Sequence, residues 1–216
     1  ISRVNAQAGG SRVEVSAEFY DLTRLALDMT AATEGRFDPT KKAGGEKFVE
    51  LDKIFVKGGG APDLYRIRLE KGYSLDFDGI AKGYAVDRMT DLLKKRGFTR
   101  ALINFGESSI AAMGDGPGGG WEILARDARM PESIPDTPLV ALILRDAVLS
   151  VSGTYERGAH IVDPFTGKSA VGSLQVIVVG PIGPNASAQA DALTKALFVG
   201  REDGLEVVRR AGFEGV

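Results

Sequence analysis

The side chains best suited to chemistry are a single histidine and a few carboxylates beside glycines and lysines. His160 is the only histidine in the chain, so it is the one imidazole that could move a proton near neutral pH. Asp163-Pro164 and a Thr166-Gly167 turn follow it, on a loop that could face a cleft. A lone histidine is also common as a satisfied structural residue, and the pattern alone leaves both interpretations open.

A second segment places two carboxylates, Asp76 and Asp78, at a predicted strand end, just before Gly79 opens a predicted helix. A helix N-terminus offers free N–H donors and a positive dipole end, which suit an anion. Lys82 in the first turn runs against the usual dipole preference and indicates a negatively charged partner. Gly83, four residues after Gly79, permits close approach of a backbone or a flat ligand. An acidic N-cap with solvated neighbours explains the same residues without a ligand.

Two further segments have both a structural and a chemical interpretation. Asp191 and Lys195 stand four residues apart on a predicted helix, where they form either an ion pair or a carboxylate that faces a metal or phosphate. The segment from Gly35 to Thr40 follows a predicted helix, and Asp38-Pro39 favours a turn.

Two glycine motifs are not interpreted as nucleotide sites. The segment from Gly114 to Gly119 matches G-x-G-x-x-G, but a strand is predicted from Trp121 instead of the required helix, so it is interpreted as a loose hairpin loop. Gly167-Lys168-Ser169 resembles the end of a phosphate loop, but Val162 stands where that motif needs glycine.

The elements that must position these residues follow from hydrophobic spacing and from capping residues. Four helices are predicted at 17–34, 80–96, 187–199 and 203–211, with Ser16 and Ser187 as N-caps of the first and third. Strands are predicted at 67–69, 101–105, 121–125, 139–144, 147–151 and 174–179, with Asp146 in a turn and loops at 114–120, 131–138 and 180–184. Runs of strands with inserted helices predict an α+β fold rather than regular βαβ alternation.

Composition excludes several classes of function. The 216 residues include 27 basic and 29 acidic side chains, and this balance argues against a nucleic-acid partner, which usually requires a basic excess. The absence of cysteine excludes disulfides, zinc–thiolate sites and a cysteine nucleophile. The chain shows neither a signal-peptide pattern nor an apolar run of about 18 residues. Its first residues look like the middle of a longer precursor.

Taken together in chain order, these segments resemble the ApbE family of FAD:protein FMN transferases, over nearly the whole chain. The residues that carry the match are Ile1, Ser2 and Asn5; Gly35 and Phe37 to Thr40; Leu75, Asp76 and Gly79 to Asp87; Asn104 and Gly106; Ser152, Gly153 and Tyr155 to Arg157; His160 to Gly167; and Ala190 to Leu193.

The resemblance implies a fold, a reaction and a partner. The fold is α+β of T-fold-like type, with antiparallel-rich sheets packed against helices, in a single domain over residues 1–216 that lacks N- and C-terminal family segments. The implied reaction uses FAD, bound in a cleft, and Mg²⁺: the FMN half of FAD passes to a Ser or Thr hydroxyl of a target protein, and AMP leaves. The implied acceptor is a flavoprotein such as a subunit of a redox complex.

The resemblance also implies roles for individual residues. His160 is the expected catalytic base for the acceptor hydroxyl. The metal ligands are expected to be the backbone carbonyl of Gly79 and the carboxylate of Asp191. The flavin-nucleotide site is expected to contain Arg36, Phe37, Asp38, Asp76, Lys82 and Val162.

The sequence departs from the family pattern at three positions. Lys195 stands where the family usually has a further metal ligand, a threonine, and an ammonium cannot bind a metal but could contact a diphosphate. Asp78 replaces a small residue and could supply another carboxylate. Glu107 stands in a turn that is expected to need glycine. A non-catalytic FAD-binding protein is therefore the alternative function, and a structural or interaction domain without a ligand is the third.

Location is implied by the resemblance alone. Family members are mostly exported, often as lipoproteins or membrane-tethered proteins, so the expectation is a periplasmic or membrane-anchored protein of the cell envelope, with any anchor outside this chain.

Overall fold

The computed structural model describes residues 1–55, 63–129, 138–154, 158, 160–171 and 173–216. The chain divides into two compact units: unit 1 comprises Ile1–Asp78 and Asp163–Lys168, and unit 2 comprises Gly79–Val162 and Ser169–Val216. Most of the predicted loop 131–138, and Tyr155, Glu156 and Arg157 of the family match, lie outside the described residues. The prediction of a single domain over the whole chain stays a prediction.

Unit 1 is a small antiparallel sheet with two α-helices and a short 3-10 helix at Gly45–Phe48. Its elements are α1 (Ser2–Ala6), β1 (Val13–Val15), α2 (Ala17–Ala32), β2 (Val49–Ile54) and β3 (Leu64–Leu69), and β3 is the central strand between β1 and β2. Ser16 caps α2 as predicted, because its Oγ accepts a hydrogen bond from the backbone N–H of Phe19 at 3.2 Å. Such a cap contributes about 1 kcal/mol. Phe19 packs on Phe77, with ring centroids 5.6 Å apart.

Unit 2 is built on a five-stranded antiparallel sheet. Its elements are α3 (Ala81–Lys95), β4 (Ala101–Phe105), β5 (Ser109–Met113), β6 (Trp121–Arg126), β7 (Pro138–Leu144), β8 (Ala147–Gly153), β11 (Gln175–Pro181), α4 (Ala186–Gly200), α5 (Glu202–Arg210) and β12 (Glu214–Gly215). A short hairpin of β9 (Val162–Asp163) and β10 (Lys168–Ser169) stands between β8 and β11 in the chain. The strand order is β12-β11-β8-β5-β4, and β6 pairs with β7 in a separate hairpin. This mixture of helices and antiparallel strands confirms the predicted α+β class.

A hydrophobic core joins the large sheet of unit 2 to the β6–β7 hairpin. It contains Ile110, Ala112, Ala125, Leu144, Leu149 and Ile177. Helix α4 packs on β8 and β11, and α3 packs on α4 and β5. These two helices therefore pack against each other on the sheet.

The tip of the β9–β10 hairpin belongs to unit 1. The backbone N–H of Ala43 donates a hydrogen bond to the carbonyl of Pro164 at 2.9 Å. Asp163 forms a local turn, since its carboxylate accepts hydrogen bonds from the Phe165 N–H at 2.9 Å and the Thr166 hydroxyl at 3.0 Å. The turn predicted at Thr166-Gly167, after His160, is therefore found at the tip of this hairpin.

Most predicted elements are found to within a few residues, and Asp146 lies in its predicted turn with φ of 45°. Three details were wrong. The segment 114–120 is not a hairpin loop, because β5 pairs with β4 and β8 whereas β6 pairs with β7. Residues 73–77 do not form a strand that ends at Asp76. Helix α4 begins at Ala186 after Asn185, so Ser187 is not its N-cap and Asp191 lies in its second turn.

No helix in the part of the chain that the structure describes is both long and apolar enough to cross a membrane.

Candidate functional site

The residues that follow α2 form a buried turn in unit 1. Helix α2 ends at Ala32 with Thr33 as its C-cap, and Glu34 and Gly35 then adopt left-handed conformations with φ of 54° and 79°. Phe37 is buried, and its backbone N–H donates a hydrogen bond to the Thr33 hydroxyl at 3.1 Å. Arg36 pairs with Glu34, with nitrogen and oxygen 2.7 Å apart. The turn therefore has a defined backbone path into Asp38.

Asp38 is a buried carboxyl with one oxygen satisfied and one without a partner. Its Oδ1 accepts hydrogen bonds from the backbone N–H and the hydroxyl of Thr40, both at 2.7 Å. Its Oδ2 is buried and has no hydrogen-bond partner among the described residues. Burial raises the pKa of Asp38 above its usual value of 3.8, the bonds from Thr40 oppose this, and Glu46 adds to the rise.

Asp76 lies beside this turn in the same unit. Its backbone N–H donates to the Pro39 carbonyl at 2.7 Å, and its carboxylate accepts hydrogen bonds from the Lys41 ammonium and the Asp78 N–H. Burial would raise the pKa of Asp76, but these bonds and the Lys41 charge outweigh it, so the pKa lies below its usual value. The structure thus brings Asp38 and Asp76 to one turn, and Lys41 was not predicted.

The start of α3 carries the predicted anion-binding residues of unit 2. Gly79 precedes the N-cap, Ile80, whose side chain makes no capping hydrogen bond. Lys82 lies in the first helical turn, as predicted, and its ammonium donates a hydrogen bond to the hydroxyl of Ser108. Ser108 lies in the turn between β4 and β5, so a chain segment remote in sequence positions Lys82.

Gly83 has a packing role. A Cβ at this position would overlap the carbonyl oxygen of Ser187 and would lie 2.7 Å from the Cα of Ala188. The prediction that a backbone approaches closely is therefore confirmed at Gly83, and the backbone belongs to α4.

Asp87, one turn further along α3, caps α4 from outside that helix. Its carboxylate accepts hydrogen bonds from the N–H groups of Ser187 and Ala188, each at 2.9 Å. Burial raises the pKa of Asp87, although these bonds oppose the rise. Gly83 and Asp87, two residues of the family match, thus fit the two helices together.

Asp191 is paired inside unit 2. Its side chain is 2% exposed, and its Oδ1 lies 3.1 Å from the ammonium of Lys195, which is 17% exposed. Its Oδ2 accepts a hydrogen bond from the Gly83 N–H at 3.3 Å. The predicted ion pair is confirmed, but it is buried, unlike a surface pair.

Two hydroxyls complete the surroundings of Lys195. Its ammonium donates to Ser152 Oγ at 2.6 Å and to Thr194 Oγ1 at 3.1 Å, and these two oxygens are 2.6 Å apart. Thr194 also donates to the Asp191 carbonyl at 2.6 Å. Ser152 and Thr194 were not assigned to the site from the sequence, and only the membership of Ser152 in the family match pointed to it.

The groups around Asp191 do not form a binding site for a divalent cation in this arrangement. A hard cation needs several free oxygen ligands, whereas both oxygens of Asp191 already accept hydrogen bonds, one of them from an ammonium. No group of three or more His, Cys, Asp or Glu side chains among the described residues could hold a metal ion. The metal ligation expected of Gly79 and Asp191 stays a prediction.

His160 is exposed and has a defined ring orientation. Its Nδ1 lies 2.9 Å from the carbonyl oxygen of Gly158. A carbonyl can only accept, so Nδ1 carries the proton of this bond and the neutral ring keeps a lone pair on Nε2. His160 therefore presents a proton acceptor, and Val162 follows it in β9.

The predicted site residues lie in both units. Unit 1 holds Arg36, Phe37, Asp38 and Asp76; unit 2 holds Gly79, Lys82, His160, Val162, Asp191 and Lys195. Within unit 2, the hydrogen bond from Gly83 links the first turn of α3 to Asp191, whereas His160 and Val162 lie on the segment that leads into β9.

Comparison with known proteins identifies the family. The model of the ApbE family matches residues 1–216. A Treponema pallidum protein named FAD:protein FMN transferase is 29% identical over 258 aligned residues, which cover 100% of this chain and 68% of the relative. An Escherichia coli K12 protein of the same name is 29% identical over 160 residues, 70% of this chain and 41% of the relative. The crystal structure of the ApbE protein from Thermotoga maritima superimposes with a TM-score of 0.80 at 25% identity, covering 99% of this chain and 76% of the other. The match over every residue, together with this structural similarity, shows that the chain belongs to the ApbE family.

Proposed function

We propose that this chain is a flavin transferase that moves the FMN half of FAD to a Ser or Thr hydroxyl of an acceptor protein. The observation that carries the proposal is the family match over all 216 residues. The curated relatives that the chain matches are named FAD:protein FMN transferase. The chain spans 68% of the first of these relatives and less than half of the second, so the activity is proposed for the protein that contains it.

The proposed reaction is a substitution at phosphorus. The acceptor oxygen forms a bond to the phosphorus of the FMN half, the bond from that phosphorus to the bridging oxygen breaks, and AMP leaves with the bridging oxygen. The proton of the acceptor hydroxyl goes to a base. Such transfers depend mostly on positioning and on neutralising charge on phosphate oxygens.

His160 is proposed as the base. The hydrogen bond from Nδ1 to Gly158 fixes the tautomer, so Nε2 is available to accept the proton. A well-placed base contributes about 10²–10⁴-fold to the rate. Lys82 supplies positive charge at the start of α3, where the positive end of the helix dipole also suits an anionic diphosphate.

Intact-mass spectrometry tests the proposal. An acceptor protein with a Ser or Thr flavinylation site is incubated with this protein and FAD, with and without Mg²⁺. We expect the acceptor to gain the mass of one FMN group and an equal amount of AMP to appear. If FAD binds but the acceptor gains no mass and no AMP appears, both with and without Mg²⁺, the proposal of transfer is refuted.

A second candidate is an FAD-binding protein that does not transfer FMN. The buried pair of Lys195 with Asp191 favours it, because an ammonium stands where the resemblance implies a metal ligand. This candidate predicts bound FAD that remains intact, so AMP release separates the two functions.

The acceptor and the location are proposed from the family alone. A redox-complex subunit or a related flavoprotein is the proposed acceptor, and the cell envelope is the proposed location. Fractionation of cells that produce the full-length protein, followed by immunodetection, tests the location.

A further inference from the structure

The strongest unexplained feature of unit 2 is a buried group of polar side chains around one ammonium. This group, the Lys195 cluster, consists of Lys195, Asp191 and Thr194 of α4 with Ser152 of β8. Ser152 and Thr194 are 7% and 0% exposed, respectively. Such groups are usually retained only when each polar atom has a partner, because burying an unpaired charge is costly.

The ammonium of Lys195 has a complete set of acceptors. It carries three N–H donors, and it lies within hydrogen-bonding distance of three oxygens: Ser152 Oγ, Asp191 Oδ1 and Thr194 Oγ1. The charge is matched as well, since Asp191 supplies one carboxylate. The cluster is therefore electrically balanced without any further ion.

The same oxygens are those that a divalent cation would use. A carboxylate and two hydroxyls are hard oxygen ligands, but here all three point at a positive nitrogen. A divalent cation next to that nitrogen would be repelled by it. To bind at Asp191, it would have to displace an ammonium that makes three hydrogen bonds.

We propose that the ammonium of Lys195 is the resident cation of this site and that it excludes divalent metal from Asp191. The inference rests on the contacts of the Lys195 cluster and not on the proposed function.

Binding of Mn²⁺ alone, measured by electron paramagnetic resonance, tests the proposal without FAD. The wild-type protein is compared with Lys195→Gln, which keeps a long polar side chain but removes the charge, and with Lys195→Thr, which supplies a hydroxyl. We expect both variants to bind Mn²⁺ about ten- to a hundredfold more tightly than the wild-type protein. Circular dichroism and thermal unfolding verify that each variant is folded.

Asp191→Asn, introduced alone and together with Lys195→Gln, locates the metal. The proposal requires that the tight binding gained by Lys195→Gln be lost in the double variant. Wild-type protein that binds one Mn²⁺ tightly and loses it in Asp191→Asn would overturn the proposal. Folded Lys195 variants that bind Mn²⁺ no better than wild type would also overturn it, because Lys195 would then not be what excludes the metal. Since FAD is absent, these results are independent of whether the chain transfers FMN.

Discussion

At the scale of single residues, Asp38 and Asp76 show that the pKa values of two carboxyls in one unit can shift in opposite directions. Asp38 is more buried and keeps an oxygen without a partner among the described residues, so its pKa is raised. For Asp76 the lysine and an N–H outweigh burial, so its pKa is lowered. The chain position of neither residue predicts this difference, which depends on Lys41 and on the depth of burial.

The two carboxyls should give opposite pH dependences of stability. Because the pKa of Asp76 is lower in the folded state, this carboxylate stabilises the folded state at pH values above 3.8, the usual pKa of aspartate. The contribution is lost as the pH falls through the pKa of the folded state. Because the pKa of Asp38 is higher in the folded state, its protonated form stabilises the folded state at pH values below 3.8. That contribution is lost as the pH rises through the pKa of the folded state.

We therefore expect the free energy of unfolding of wild type relative to Asp76→Asn to increase with pH, and that of wild type relative to Asp38→Asn to decrease. Urea unfolding between about pH 3 and pH 7 measures both differences. Each variant serves as the control for the other, and slopes of the same sign would contradict the prediction.

The proposed role of His160 predicts a loss of rate with intact binding. His160→Ala should lower the rate of FMN transfer about 10²–10⁴-fold, because the proton acceptor is lost. The side chain is exposed, so the thermal midpoint should hardly change. FMN transfer is followed by acceptor mass, and FAD affinity by fluorescence. A variant with full activity would exclude His160 as the base.

Glu107 combines an ordinary side chain with an unusual backbone conformation. It adopts φ of 56° directly after Gly106, which adopts φ of 61°, in the turn between β4 and β5. A left-handed conformation disfavours side chains with a Cβ. The expectation that this turn prefers glycine is consistent with this conformation.

Glu107→Gly should therefore stabilise the protein by about 0.5–1 kcal/mol, the strain relieved being partly offset by the greater freedom of glycine in the unfolded chain. Glu107→Ala is the matched control, because it removes the carboxylate and keeps the strain. Chemical unfolding of the three proteins measures the difference. Equal stability of the two variants would show that the backbone conformation is not strained.

At the scale of elements, the contact of α3 with α4 organises unit 2. Gly83 allows the helices to meet, Asp87 caps the first turn of α4, and the Gly83 N–H reaches Asp191. A single helical turn of α3 thus fixes both the start of α4 and one oxygen of its buried carboxylate.

A methyl group at this contact should be costly. Gly83→Ala should destabilise the protein by about 1–3 kcal/mol, because the added carbon would overlap the backbone of α4. Gly183→Ala is the matched control, since a Cβ there meets nothing within 4 Å, and its effect should stay within about 0.5 kcal/mol. Thermal and urea unfolding provide the comparison, and equal effects of the two changes would refute this role of Gly83.

At the scale of the whole molecule, the sequence predicts what is local and misses what is long-range. The start of α2 was predictable because Ser16 and Phe19 are three residues apart. The start of α4 was not, because its acceptor, Asp87, comes 100 residues earlier. The contacts of Lys41 with Asp76 and of Ser152 with Lys195 were missed for the same reason, because each joins residues that are far apart in the sequence. The family match compensated in part, since it named Asp76, Lys82 and Asp191 without showing what each one contacts.

The hairpin tip at residues 163–168 has a consequence for the order in which the protein is made on the ribosome. Unit 1 is nearly complete in sequence after Asp78, yet Pro164, the acceptor for Ala43, is synthesised 121 residues after its partner. Unit 2 likewise waits for Ser187 and Ala188 before Asp87 can make its two bonds. Vectorial synthesis therefore delivers the closing contacts of both units late, and a message truncated before residue 163 would encode neither unit in full.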